Sequence, residues 1–159
     1  MSIRRTVLAG AAAVALAAAV VAAIALGWMG KAVEVSPRED ENEIALGRRI
    51  YAERCASCHG INLQGQPDWR ERRPDGKLPA PPHDPSGHTW HHPDQVLTGI
   101  TRDGLKAYAP AGYQSDMPAF AGVLSDDEIA AVIAYVKSTW PEEVRNRQAA
   151  FTRSYGAEN

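Results

Sequence analysis

The stretch Cys55-Ala56-Ser57-Cys58-His59-Gly60 decides how the rest of this 159-residue chain is read. It holds both cysteines of the sequence, three positions apart, with a histidine directly after the second. Three chemistries use a C-x-x-C pair. A thiol redox couple uses one sulfur as nucleophile and the other to resolve the mixed disulfide. A structural zinc site takes the pair as two of four ligands. A c-type haem takes both sulfurs as thioethers to the porphyrin vinyl groups, and the following histidine binds the iron. His59 separates these readings, because only haem attachment needs an imidazole at the very next position. Zinc would want a second knuckle of ligands, and there is no third cysteine. The motif therefore favours one covalent haem c held by Cys55 and Cys58 with His59 on the iron. Zinc and thiol redox chemistry stand as the alternatives.

Upstream, Arg4 and Arg5 precede an uncharged apolar run from Val7 to Met29. At about 1.5 Å per residue the run is long enough to cross a hydrocarbon core of about 30 Å. It exceeds the apolar region of a signal peptide, about 7–15 residues. Trp28 and Lys31 stand where an interfacial anchor belongs, and the two arginines put the N-terminus on the cytoplasmic side. Against an anchor, the run is mostly alanine, and Ala23-Ile24-Ala25 and Gly30-Lys31-Ala32 have the small-x-small pattern of a cleavage site. Residues 1–32 are read as a membrane anchor, with a cleaved signal as the alternative. Both send the rest of the chain out of the cytoplasm, which agrees with haem attachment beyond the membrane. The expected location is the inner membrane, single-pass with the haem domain in the periplasm, or the soluble periplasm after cleavage.

The remainder has a single-domain length. Residues 33–141 are read as the haem domain and 142–159 as a partly helical extension. Of the 17 basic and 19 acidic residues only Arg4 and Arg5 precede Lys31, so the segment from Lys31 onward has a formal charge of −4. That balance offers nothing to nucleic acid.

Helical patterns flank the motif. "SPREDENEIALGRRIYAERC" offers Ser36 as N-cap, Pro37 at the first helical position and Glu39 as capping-box partner. Acids crowd its start and arginines its end, as the helix dipole prefers. Gly47 within it costs about 1 kcal/mol relative to alanine. It is either a tolerated surface glycine or the point where another helix comes close. "LSDDEIAAVIAYVKSTWP" offers Ser125 and Glu128 as a capping box, and Leu124 with Ile129 as a hydrophobic staple. Ile129, Val132, Ile133, Val136 and Trp140 form a buried helical stripe, and Pro141 ends or kinks it. A short helix is expected from near Pro93 to Gly104, and "PEEVRNRQAAF" adds another before a frayed end. The Pro-, Gly-, Asp- and His-rich span from Ile61 to His92 has no regular period and reads as a long ordered loop. No strand candidate stands out, so the fold class is all-α.

An electron-carrying iron needs a second axial ligand. Beyond the N-terminal run the chain has one methionine, Met117, in "YQSDMPAF". Its thioether is soft and raises an iron's potential. A core methionine would lie on a helical stripe, whereas Met117 lies in a polar loop beside Pro118. The expected iron ligands are His59 and Met117.

With these residues in view, the chain resembles the class I cytochrome c family, in particular membrane-anchored bacterial members with an extended loop. The matching features are Gly47-x-x-x-Tyr51-x-x-x-Cys55-Ala56-Ser57-Cys58-His59-Gly60, the Met117-Pro118 loop, and the C-terminal helix with Tyr135 and Trp140. The resemblance spans roughly Glu39 to Trp140. It implies a fold whose first and last helices cross near Gly47 over a covalently bound haem, and a protein that shuttles single electrons between redox partner proteins. It also implies a proline carbonyl that accepts from the proximal histidine's other ring nitrogen. "LPAPPHD" offers Pro79, Pro81 and Pro82, of which Pro81 is preferred. The insert "PDWRERRPDGKLPAPPHDPSGHTWHHPD" departs from the shortest members, which leaves Trp90, Trp69 and Arg70 as candidates for the haem propionates.

His83, His88, His91 and His92 crowd into ten residues near Asp84 and Asp94. They suit a copper or zinc site, a replacement iron ligand, or plain turn and cap roles. The basic run "WRERRPDGK" is either a solvated surface or a patch that steers an acidic redox partner. A small-molecule substrate is not expected. A haem enzyme or gas sensor with an open iron position, and an electron-transfer subunit of an oxidoreductase, remain as alternatives to a free shuttle.

Overall fold

The acid-rich run that begins at Pro37 is helical to Arg54 (α1, Pro37–Arg54). This computed structural model describes residues 37–158, with side chains from 40 to 157. The anchor-or-signal segment and the Ser36 and Glu39 cap fall outside what is described. After α1 the chain turns at Cys55 and makes one more helical turn (α2, Ala56–His59). A long irregular stretch follows, up to a 3-10 turn at Thr89–His91. Next come α3 (Asp94–Asp103), closed by Gly104 at φ +82°, and a 3-10 turn at Leu105–Ala107. A second irregular stretch carries Met117 and leads to α4 (Asp126–Ser138) and α5 (Glu142–Glu158). The described residues form no strand, only an isolated bridge between Ala121 and Leu124. They are all-α, and none of their helices is long and apolar enough to cross a membrane.

The capping box starts α4. Ser125 Oγ accepts from the Glu128 amide at 3.2 Å, and the Glu128 carboxylate accepts from the Ser125 amide at 2.8 Å. The apolar stripe of α4 then lies against α1. Gly47 of α1 is buried, and a Cβ added there would stand 1.8 Å from the Ala131 carbonyl oxygen of α4. The two backbones therefore touch at this point, and the helix cost of the glycine is offset by close packing. Ile50 and Tyr51 of α1, Leu63 of the loop, and Val132, Val136 and Trp140 make the buried core. Ile133, expected on the same stripe, is only half-buried.

The C-terminal helix is longer than "PEEVRNRQAAF" suggested. It continues through Glu158, and its bonding begins with the Arg145 amide on the Pro141 carbonyl at 3.1 Å. Polar contacts that an apolar period cannot reveal dock it, one of them just past Phe151. Gln148 is fully buried, and its Nε2 donates to the His92 carbonyl at 3.1 Å and to Asp94 Oδ1 at 2.7 Å. Thr152, one turn on, accepts from the Asp94 amide at 3.0 Å. Lys137 of α4 holds the same Asp94 carboxylate at 2.7 Å. So α5 clasps the end of the long loop and the start of α3 against α4.

Candidate functional site: a Cys-x-x-Cys-His turn and its proline carbonyl

The motif is a single helical turn continuous with α1. The Cys55 amide donates to the Tyr51 carbonyl at 2.9 Å, and the Cys58 and His59 amides both donate to the Cys55 carbonyl, at 3.1 and 2.9 Å. Tyr51, itself buried, donates its hydroxyl to the Gly60 carbonyl at 3.1 Å and so ties the two ends of the turn. Burial of Tyr51 raises its pKa strongly, which keeps that hydroxyl a donor.

The two cysteines are not joined in a disulfide, and Cys55 is half-buried while Cys58 is exposed. Burial pushes the Cys55 thiol up to about 11, and the neighbouring Cys58 adds to the shift. A redox thiol works through a thiolate favoured by its surroundings. At Cys55 the surroundings favour the neutral thiol, which weighs against the thiol redox alternative.

His59 is 7% exposed, and its Nδ1 lies 2.8 Å from the Pro81 carbonyl oxygen. A carbonyl only accepts, so Nδ1 carries the proton and Nε2 keeps its lone pair. Burial lowers the His59 pKa, partly opposed by the Pro81 bond, so the ring is held neutral. A neutral imidazole with a fixed tautomer is the form that binds a metal. Two sulfurs on one turn and this imidazole make a donor set that fits a c-type haem.

Pro81 reaches His59 because the long loop is pinched at a neck. The Gln66 amide donates to the Ala80 carbonyl at 2.9 Å, and the Ala80 amide donates to Gln66 Oε1 at 2.9 Å. Leu63, left-handed at φ +62°, turns its carbonyl to the amides of His83 and Asp84, at 2.8 and 3.2 Å. The insert between Pro67 and Pro79 is thus an excursion, and the neck presents residues 80–84 to the motif.

The histidine cluster is divided among separate partners. His83 stacks on His59 with ring centroids 4.0 Å apart, and its Nδ1 lies 2.8 Å from Thr89 Oγ1. Its carbonyl accepts from the Trp140 indole at 2.7 Å. Burial holds His83 neutral, with its pKa well below the ordinary value. Stacked on the face of His59, the His83 ring does not lie in line with the His59 Nε2 lone pair. His88 stacks on Trp69 at 5.5 Å and meets His92 edge-on at 5.5 Å, and His91 packs on Trp90 at 3.7 Å. Among the described residues no group of three or more His, Cys, Asp or Glu side chains is arranged to hold a metal ion. The copper or zinc site suggested by the cluster is therefore not assembled.

The propionate candidates sit in the same region. Trp90 donates its indole N–H to the Pro85 carbonyl at 3.3 Å, with Arg147 of α5 5.4 Å from its ring. Arg70 covers the Trp69 ring at 3.9 Å. A propionate contact from Trp90 would require it to give up the Pro85 bond.

Met117 is half-buried on the second irregular stretch, its amide held by Ser115 Oγ at 3.0 Å. Hydrogen bonds bring Cys55, Cys58, His59 and Pro81 into one unit, while Met117 is tied elsewhere. Its neighbour Asp116 is gripped by Arg73 and Lys77 of the basic run. Sequence reasoning missed Asp116, as it missed Gln148. A long-range polar pair has no period or spacing by which to find it.

Comparison with known proteins identifies the family. The family profile described as cytochrome c matches residues 44–140. That span includes the motif turn, the insert, Met117 and α4, and leaves α5 outside. The chain is 33% identical to cytochrome c6 of Tetradesmus obliquus over 95 residues, 59% of this chain and 88% of that protein. It is 27% identical to a nitrite reductase of Stutzerimonas stutzeri over 128 residues, 77% of this chain and 20% of that protein. No solved structure matches significantly. The chain belongs to the cytochrome c family, carries covalently bound haem c, and is a haem electron carrier.

Proposed function

We propose that the protein is a monohaem shuttle in which Cys55 and Cys58 bind the haem, His59 is the proximal iron ligand and Met117 the distal one. The observation that carries this reading is the His59–Pro81 bond at 2.8 Å, which leaves Nε2 as the free ligand nitrogen. When bound, the haem supplies a one-electron ferrous–ferric couple. Pro81 fixes the tautomer and raises the basicity of His59. The buried Tyr51, Leu63 and Trp140, the last bonded to the His83 carbonyl, pack behind that side of the site. Met117 is a soft donor on a different segment, so the two ligands come from independently held parts of the chain.

The apolar run Val7–Met29 behind Arg4 and Arg5 supports an inner-membrane anchor with the haem domain in the periplasm, where it would meet redox partner proteins. Membrane extraction of the expressed chain tests this. An anchored protein stays in the pellet at high salt and high pH, whereas a cleaved one is released.

A second reading has its own support. The chain aligns with a fifth of a protein named nitrite reductase. A haem module of this kind can feed electrons to a catalytic unit instead of diffusing between partners. Stable co-purification with a second redox subunit would favour that reading over the shuttle.

The iron ligation is tested by absorption spectra of the oxidised and reduced protein, with and without carbon monoxide. His–Met ligation gives a weak far-red band in the oxidised form, lost in Met117→Ala, and no carbon monoxide shift. A high-spin spectrum, or a ready shift with carbon monoxide, would move the protein to the peroxidase or sensor class.

A further inference from the structure

We propose that the insert between Pro67 and Pro79 is a strap whose Arg73 and Lys77 side chains clamp Asp116 and so act as positioning residues for the distal ligand Met117. This rests on the reading that Met117 binds the iron.

The insert carries the basic run first read as a solvated or partner-steering surface. Its tip is folded on itself. The Arg73 amide donates to the Lys77 carbonyl at 2.9 Å, the Gly76 amide to the Arg73 carbonyl at 2.8 Å, and Arg72 to the Gly76 carbonyl at 2.6 Å. Asp75 Oδ1 caps the Lys77 amide at 3.0 Å. This tight turn places Arg73 and Lys77 side by side. Both reach one carboxylate: Arg73 lies 2.9 Å from Asp116 Oδ2, and Lys77 bonds Asp116 Oδ1. A second contact runs alongside, with the Arg72 guanidinium 5.6 Å from the Tyr113 ring. Between the strap and the Met117 segment remains a cleft of about 360 Å³, lined by Arg72, Asp75 and Tyr113 among others.

These contacts join segments about forty positions apart in sequence, and they end on the residue next to Met117. An isolated surface ion pair contributes little, but two cations on one carboxylate form a small network. Held this way, the Met117 segment has fewer conformations open to it, so departure of the sulfur from iron carries an added penalty. Because Asp116 is half-exposed at 50%, salt screens the grip. The run is therefore largely committed within the molecule: Arg73 and Lys77 are engaged by Asp116, Arg70 covers Trp69, and Arg72 closes the turn.

The test uses the oxidised, haem-loaded full chain and free imidazole, which competes with the methionine for iron. Loss of the far-red band reports displacement. Asp116→Asn should raise apparent imidazole affinity by about three- to tenfold at low salt, the scale of one weak ionic network. Arg73→Gln with Lys77→Gln should do the same, and adding Asp116→Asn to that pair should change little more. The wild-type and variant curves should converge in 0.5 M salt. Arg153→Gln on α5 serves as a charge control and should leave affinity unchanged. Affinity within twofold of wild type in Asp116→Asn, with the far-red band present, would overturn the strap, as would a lowered melting temperature with unchanged affinity. Absence of the far-red band in the wild-type chain would instead remove the Met117 reading on which the strap depends.

Discussion

Replacing Gly47 by alanine should destabilise the protein, although alanine is the better helix former. A Cβ at this position would lie 1.8 Å from the Ala131 carbonyl oxygen, 2.4 Å from its carbon and 2.9 Å from Tyr135 Cβ. Two of these are backbone atoms of α4, so no rotamer change relieves the contact. Ordinary separations are about 3.5 Å, so α1 and α4 must part by roughly 1.5 Å or tilt about the crossing. Ile50, Tyr51, Val132 and Val136 pack beneath it. Each contributes about 2 kcal/mol by burial. A tilt spreads this opening, and a gap of about 0.5–1 Å at the neighbouring side chains forfeits a quarter to a half of such contact energy, or about 2–4 kcal/mol for the four. Helix propensity returns about 1 kcal/mol. The net loss is about 1–3 kcal/mol, or roughly 4–12 °C in melting temperature for a domain of this size. Urea unfolding of the haem-loaded protein, followed by tryptophan fluorescence, measures it directly. Gly156→Ala is the matched control, since a Cβ there meets only Gln95 Nε2 at 3.4 Å. It should be neutral or stabilising by up to about 1 kcal/mol. If Gly47→Ala proved as stable as wild type, the close crossing of α1 and α4 would be refuted.

Three other perturbations follow from specific contacts. Trp140→Phe keeps an aromatic ring but removes the donor to the His83 carbonyl, and should cost about 1–3 kcal/mol in urea unfolding. Gln148→Leu fills similar space but leaves the His92 carbonyl without its donor, and should cost about 1–2 kcal/mol by the same assay. Acidification should loosen the end of the long loop. Desolvation lowers the pKa of both His88 and His92, and neighbouring histidines lower it further. Below the ordinary histidine value of about 6.5 the unfolded chain binds protons that the folded chain resists. The stability of the neutral pair is thus complete above about pH 6.5 and declines as pH falls through the lowered folded values. Melting temperatures from pH 7.5 to 5 should fall less steeply in His88→Gln than in wild type, and equal slopes would contradict this.

The parts legible in the sequence are those whose physics is local. The haem-attachment chemistry needs its two thiols and imidazole within five residues, so the motif announces itself. The capping box of α4 is written in Ser125 and Glu128, and its stripe in the spacing of Ile129, Val132 and Val136. Gly47 left two readings open, a tolerated surface glycine or a close approach, and the structure shows the approach, to Ala131. The choice among Pro79, Pro81 and Pro82 could not be decided that way. Which carbonyl faces His59 depends on the Gln66–Ala80 neck, a pairing of two polar residues with no periodic signature. The docking of α5 was hidden for the same reason. Its anchor is Gln148 on Asp94 and His92, which reads in sequence as one more polar residue in a charged segment.

These anchors also explain why a stretch as irregular as residues 61–92 holds a fixed shape. Four ties made by the protein itself restrain it: Leu63 to His83 and Asp84, Gln66 to Ala80, Trp140 to His83, and Gln148 to His92. Two of the four draw on Trp140 and α5, at the far end of the chain. The segment around Pro81 is thereby held by part-buried bonds anchored on the buried Leu63, Trp140 and Gln148, whose donors and acceptors are costly to leave unpaired. The Met117 segment is held differently, by Ser115 and by ion pairs that solvent and salt can reach. On the proposed His59–Met117 ligation, the two sides of the site therefore differ in how firmly the chain holds them. Conditions that screen charge should act first on the methionine side, and the histidine side should give way only when the fold does.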